Sequence, residues 1–164
     1  MIQRMTRLLS VLLVAVGFMI AGFGGAHAAD SGIVRTKSLY PMAETIQRLK
    51  DDVAAKGIMM FAEIDQAKLA GDAGIKLNPS TLLIFGNPPL GIQFLTSQAS
   101  SGIDWPVRLL VYEDAKGQVW TVHNDFSWIA KRHRIKNRTA AFNMASIVIA
   151  SIVSSVSMQV RAGN

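Results

Sequence analysis

Two of the chain's three histidines, His123 and His133, bracket an aspartate and a serine in the stretch HNDFSWIAKRH. On a strand, side chains repeat every second residue, so His123 and Asp125 share a face. A histidine beside a carboxylate can bind a metal, or act as a base held by an orienting acid. A competing role for Asp125 is to end the strand and cap the helix that follows, accepting from backbone N–H groups. That role is favoured here, because an apolar helical run begins at Phe126. His133 then falls at the far end of that helix, about 12 Å from its start at about 1.5 Å per residue. A histidine there suits the negative end of the helix dipole. Ser127 beside His123 is only a faint echo of a nucleophile–base pair. A structural zinc needs about four protein ligands and a catalytic one about three. With no cysteine in the chain and so few histidines, neither a metal nor another cofactor is expected.

Other segments could contribute to a site. Gly86-Asn87-Pro88-Pro89-Leu90-Gly91 carries glycines but lacks the Lys-Ser/Thr ending of a phosphate loop. It reads as a turn in which Asn87 orders nearby backbone. Trp105 precedes Pro106 in a loop and is placed to line a pocket rim, whereas Trp120 sits within a strand and is expected in the core.

These residues need elements to hold them. IVRTKSL (33–39) alternates and reads as a strand. Pro41 suits a first helical turn. Met42, Ile46, Leu49 and Val53 then make one apolar stripe, and Gly57 is a natural stop. IMMFAEID (58–65) and TLLIFG (81–86) read as strands, with a short helix from about Gln66 to Leu69 between them and another within LGIQFLTSQA. PVRLLVYED and QVWTVHND should pair as an antiparallel hairpin about Asp114-Ala115-Lys116-Gly117. Within it, Val107, Leu109 and Val111 face one way and Arg108, Leu110 and Tyr112 the other. Helices follow at about 126–133 and 139–159. The last is uncharged and long enough to span a bilayer. Its Asn143 and its serines favour instead a largely buried helix lying across a sheet. The expected fold class is α+β, a two-layer sandwich with a mainly antiparallel sheet and helices on one face.

The start of the chain is organised differently. MIQRMTR is basic, residues 8–23 are apolar, and Ala26-His27-Ala28 places small residues where a signal peptidase reads. A cleaved signal over residues 1–28 is expected, leaving one domain over residues 29–164 in the periplasm or outside the cell. An uncleaved anchor is the alternative. The absence of cysteine means that such a domain is held by its core alone. The formal charge of +6 is uneven. From Ala29 to Ala130 acids slightly outnumber bases, whereas KRHRIKNR holds Lys131, Arg132, Arg134, Lys136 and Arg138 with no acid. That run could touch an anionic membrane, although a solvated helix end is the plainer reading. Export argues against nucleic acid as a partner.

IDQAKLA, TLLIFGNPPLG, GIDWPVRLLVYEDAKGQVWTVHND and IAKRH, in that order along the chain, resemble the domain-of-unknown-function 302 family. The resemblance implies a small α+β domain of strand–helix–four strands–helix order, similar to the repeat of the TATA-binding protein. It implies no established activity. The family usually has histidine where this chain has Gln66, tyrosine at His123 and proline at Phe126, while Asn124, Asp125 and His133 match. The reading is therefore a binding module for a small apolar or amphipathic ligand, with Gln66, Gly86, Asn87, Pro88, Asn124, Asp125 and His133 around the ligand. The alternatives are a hydrolase-type enzyme using Asp125 with His123 or His133, and a membrane-surface or interaction protein acting through residues 131–138. An exposed sheet edge offers a route to a homo-oligomer.

Overall fold

A computed structural model describes residues 31–157; the expected signal segment lies outside the described residues. The elements are β1 (Ile33–Lys37), α1 (Met42–Ala55), β2 (Met59–Asp65), α2 (Gln66–Asp72), β3 (Ser80–Gly86) and α3 (Pro88–Ser97). A 3-10 turn (Ala99–Ile103), β4 (Val107–Glu113), β5 (Val119–Asn124), α4 (Phe126–Arg132) and α5 (Thr139–Ser157) complete the order. The five strands form one antiparallel sheet in the order β1-β5-β4-β3-β2. This is the α+β, helices-on-one-face architecture that the alternation and the helical stripes predict.

The sequence explains most boundaries. Pro41 precedes the first turn of α1 and cannot extend the helix backwards, and Gly57 at φ +64° takes the left-handed turn that ends it. Asp65 caps α2 by accepting from Lys68 N at 2.8 Å. Asn87 caps α3 by accepting from Leu90 N at 3.2 Å. The turn expected at Asn87-Pro88-Pro89 is thus the start of a helix, because proline is well suited to the first helical position. Gly102 and Ile103 end the 3-10 turn, with Asp104 just past it.

Alternation assigns the sheet's two faces. Leu83, Phe85, Leu109, Val111 and Val119 are almost fully buried against Leu49 and Val53 of α1 and Phe142, Ile149, Ile152 and Val153 of α5. Each such side chain contributes on the order of 1.5–3 kcal/mol by leaving water. The register lines up the opposite face as a row, Arg35–Val122–Leu110–Leu82–Ile64, whose apolar members are half-buried and point away from α1 and α5. Trp120 belongs to this second face and not to the core. It is flanked by Lys37 and Tyr112, its indole N–H donates to Asp114 at 2.8 Å, and the Arg35 guanidinium lies 3.6 Å above its ring. Period-two alternation separates the faces of a strand, but it does not say which face the helices cover.

α5 lies against the sheet and α1 as expected, but it buries one stripe only: Ala141, Phe142, Ala145, Ile149, Ile152, Val153 and Val156. Met144 and Ile147 are 52% and 64% exposed, so the helix is not largely buried. Its length and composition would suffice to cross a membrane. The hydroxyls of Ser146, Ser154, Ser155 and Ser157 donate to carbonyls three or four residues back, which masks their polarity.

Candidate functional site

Polar and aromatic groups gather at the end of the sheet where β3 and β5 finish and β4 begins. The register Phe85–Val107 and Leu109–His123 brings these ends side by side. α3 starts there, and Gly91 lets it lie directly on Trp105. A Cβ at Gly91 would stand 1.9 Å from the indole nitrogen. Trp105 packs edge-on against Phe61 at 6.0 Å, and Phe94 stacks on Phe142 at 4.2 Å. Between them lies a partly open apolar cavity of about 40 Å3, bounded by Phe85, Phe94, Trp105, Phe126 and Ile149. That has room for about three water molecules, too little for a small-molecule ligand. Ile58, Asn87, Leu90 and Val148 form a wall shared with an outer groove of about 510 Å3 between α3 and α5. Pro89, Met144 and Ile147 add apolar surface to the groove, with Lys56, Gln93 and Ser151 at its polar margin.

A charged cluster stands beside Trp105. Asp104 is buried, its side chain only 2% exposed. His133 Nε2 donates to Asp104 Oδ2 at 2.7 Å, and the imidazole is itself buried. Arg132 Nη1 reaches both carboxylate oxygens at 3.1 and 3.2 Å, and Arg108 Nη2 reaches Oδ1 at 3.3 Å and also bonds the Ile103 carbonyl. The other imidazole nitrogen, Nδ1, lies 2.9 Å from the hydroxyl of the exposed Ser100. Next to it, the Ser101 hydroxyl is buried with no hydrogen-bond partner. The cluster ties the 3-10 turn to the end of α4.

The expected site residues divide between these arrangements and other places. Asn87 lines both cavity and groove, and Gly86 lines the cavity. Pro88 opens α3, but its neighbour Pro89 is the one that meets the groove. Asp125 is the predicted cap: its Oδ1 accepts from Ser127 N at 2.6 Å and Trp128 N at 3.1 Å. The Ser127 hydroxyl bond and these backbone bonds hold the Asp125 carboxyl below its ordinary range. Asn124 ends β5, and its carbonyl lies 2.9 Å from His123 Nδ1. His133 does sit at the C-terminus of α4, but its side chain turns to Asp104. Gln66 does not join the rest. Its Oε1 accepts from the Ser80 hydroxyl at 2.7 Å. Ser80 and Gly86 are opposite ends of β3, about 20 Å apart at about 3.3 Å per residue.

His123 faces the helices beneath α5, at a separate groove of about 320 Å3 that it lines with Val34, Thr36, Asp125, Val153 and Ser154. Burial pushes its imidazole below the ordinary value, against the opposing pulls of the Asn124 carbonyl and the Asp125 carboxylate. No cluster of three or more metal-type side chains occurs among the described residues. Asp104 and Ser100 were not singled out from the sequence. They meet His133 across 29 and 33 residues, and no local spacing signals such a contact.

Comparison with known proteins covers most of the chain. Its nearly complete domain resembles the crystal structure of an uncharacterized conserved protein DUF302 from Bacillus stearothermophilus, with a TM-score of 0.70 at 16% identity. That alignment covers 77% of this chain and 98% of the other. Over 110 residues, 67% of the chain, it is 38% identical to proteins named fluoride-specific ion channel FluC 1 from Brucella suis and Brucella abortus. The chain spans about two-fifths of the length of those relatives, 43% and 41%. The sequence pattern of the domain of unknown function DUF302 matches residues 34–152, and the chain belongs to that family.

Proposed function

We propose that the chain is an exported binding module for a small amphipathic ligand, held in the groove between α3 and α5. The observation that carries the reading is the groove's form. It is about 510 Å3, within the range of about 300–1,000 Å3 usual for small-molecule sites, and its apolar wall includes the solvent-facing Met144 and Ile147. Two large apolar side chains held in water on one helix are stabilised when a ligand covers them. The ligand's apolar part lies along Leu90, Met144, Ile147 and Val148, and its polar part at Gln93, Ser151 and Lys56. Lys56 also pairs with Asp52 at 2.6 Å, so an anionic head competes for a cation already in place.

Titration with 1-anilinonaphthalene-8-sulfonate and with dodecanoate, followed by calorimetry and tryptophan fluorescence, tests this. Saturable binding that Ile147→Asp abolishes, with the melting temperature kept, is expected. Absence of saturable binding by both probes, together with native mass spectra that show no co-purified mass, refutes it.

A second reading has one specific support, the ion-channel name of the two relatives. In it the domain works at a membrane surface, its exposed Lys131, Arg134 and Lys136 meeting anionic lipid. Arg132 is committed to Asp104, and Arg138 donates to the Asn137 carbonyl at 3.0 Å, so fewer cations are available than the run of eight residues offers. Cosedimentation with anionic vesicles at low and high salt separates this reading from the first.

A further inference from the structure

We propose that Ser100, His133 and Asp104 form a nucleophile–base–orienter site for hydrolysis of a small carboxylic ester. The proposal is independent of the α3–α5 groove. It starts from the tautomer of His133. A carboxylate only accepts, so Asp104 Oδ2 at 2.7 Å fixes the proton on Nε2. When the imidazole is neutral, Nδ1 therefore carries the lone pair, and the atom it faces, at 2.9 Å, is the Ser100 hydroxyl oxygen. That is the distance and polarity a base needs to take the serine proton. The ring nitrogens exchange roles relative to the familiar serine–histidine–aspartate arrangement, which the chemistry permits because either nitrogen can accept.

Burial divides the cluster in a way that suits the same roles. Asp104 and His133 are shielded, so the orienting bond is kept from water, while Ser100 is exposed and open to a substrate. A purely structural tie between the 3-10 turn and α4 needs the acid and the imidazole but not a hydroxyl at the imidazole's outer nitrogen. Arg108 and Arg132 brace the carboxylate from the other side. Two guanidiniums against one carboxylate leave a net positive charge at the cluster, which favours esters that carry an anionic group even though both arginines stay paired with Asp104.

Each step balances. Ser100 Oγ attacks the carbonyl carbon and its proton passes to His133 Nδ1. The bond to the alkoxy oxygen breaks, and the alcohol leaves with that proton. Water then adds to the acyl-serine, giving a proton to Nδ1. The serine–acyl bond breaks, Oγ recovers the proton, and the carboxylic acid departs.

The test uses the protein purified from its host, a fluorophosphonate probe, and 4-nitrophenyl acetate with its succinate analogue. One adduct at Ser100 is expected, with hydrolysis reduced about 100-fold or more in Ser100→Ala and His133→Gln and unchanged in Ser97→Ala. Because His133→Gln risks misfolding, a second variant reads the same geometry. The chain has no cysteine, so Ser100→Cys introduces its sole thiol. Iodoacetamide should alkylate that thiol at least about tenfold faster than the thiol of Ser97→Cys, since a neighbouring base raises the thiolate fraction. Equal alkylation rates, or a labelling pattern that ignores Ser100, overturn the proposal.

Discussion

Removing the Asp104 carboxylate should cost more than removing any other charge among the described residues. Three groups depend on it unequally. The Arg108 and Arg132 side chains are 42% and 44% exposed, so water replaces most of what they lose. The His133 side chain is 6% exposed, and its Nε2–H is bonded to Asp104. Stranding a buried donor costs about 1–3 kcal/mol, and bonds to charged groups sit at the upper end of that range. Asp104→Ala should therefore lose about 2–3 kcal/mol, and Asp104→Asn, which keeps an acceptor of the same shape, about 1 kcal/mol. At about 4 °C per kcal/mol for a domain of this size, the alanine variant should melt about 8–12 °C lower. Urea unfolding followed by far-ultraviolet circular dichroism measures the difference directly. If both variants fall within about 0.5 kcal/mol of the parent, the cluster is a solvated surface network and its burial has been misjudged. If Asn costs as much as Ala, charge rather than hydrogen bonding dominates, and the reasoning from the imidazole donor fails.

Other expectations follow from local geometry. Burial keeps His123 neutral in the native state at pH values where the unfolded chain takes up a proton, so its contribution is complete above the ordinary value of 6.5 and is lost as pH falls below it. Unfolding free energies from pH 7.5 down to 5 should therefore decline, and His123→Tyr should flatten that decline whatever its absolute stability. An unchanged slope would assign the decline to other groups. Asp125→Ala removes the cap of α4 and should cost about 0.5–2 kcal/mol, readable in the same urea experiment. Gly91→Ala forces a methyl group into the Trp105 indole, and should shift tryptophan emission and lower the melting temperature; a silent variant would mean that α3 can lift off without penalty.

The legible part of the fold was the part written in short-range period. The stripe Met42-Ile46-Leu49-Val53 marked α1, and alternation through Val107-Leu109-Val111 marked β4. Asp125 read as a cap because capping depends on atoms two and three residues away. Both faces of β5 alternate equally well, and only the position of α5 decides that Trp120 lies outside the core. Gln66 is grouped with Asn87 because it stands where the family usually has histidine; that resemblance does not reveal that the two lie at opposite ends of β3. Ser100 and Asp104 lay beyond local signals altogether. They meet His133 only because the hairpin β4–β5 folds the intervening residues back on themselves.

The strand order has a consequence for how the chain is assembled. β1 has a single neighbour, β5, and the two are joined through Thr121 Oγ1 donating to the Thr36 carbonyl across 85 residues. Leu39, just past β1, donates its N–H to the Val156 carbonyl near the end of α5 at 2.9 Å. The first and last described segments thus share one seam. β2, β3, β4 and β5 pair in succession along the chain, while closing the seam costs the entropy of nearly all the described residues. Until it closes, β5 presents a bare edge onto which a strand from another molecule could add. Trimming either end of the domain should open the same seam, so the two termini are expected to tolerate truncation equally badly.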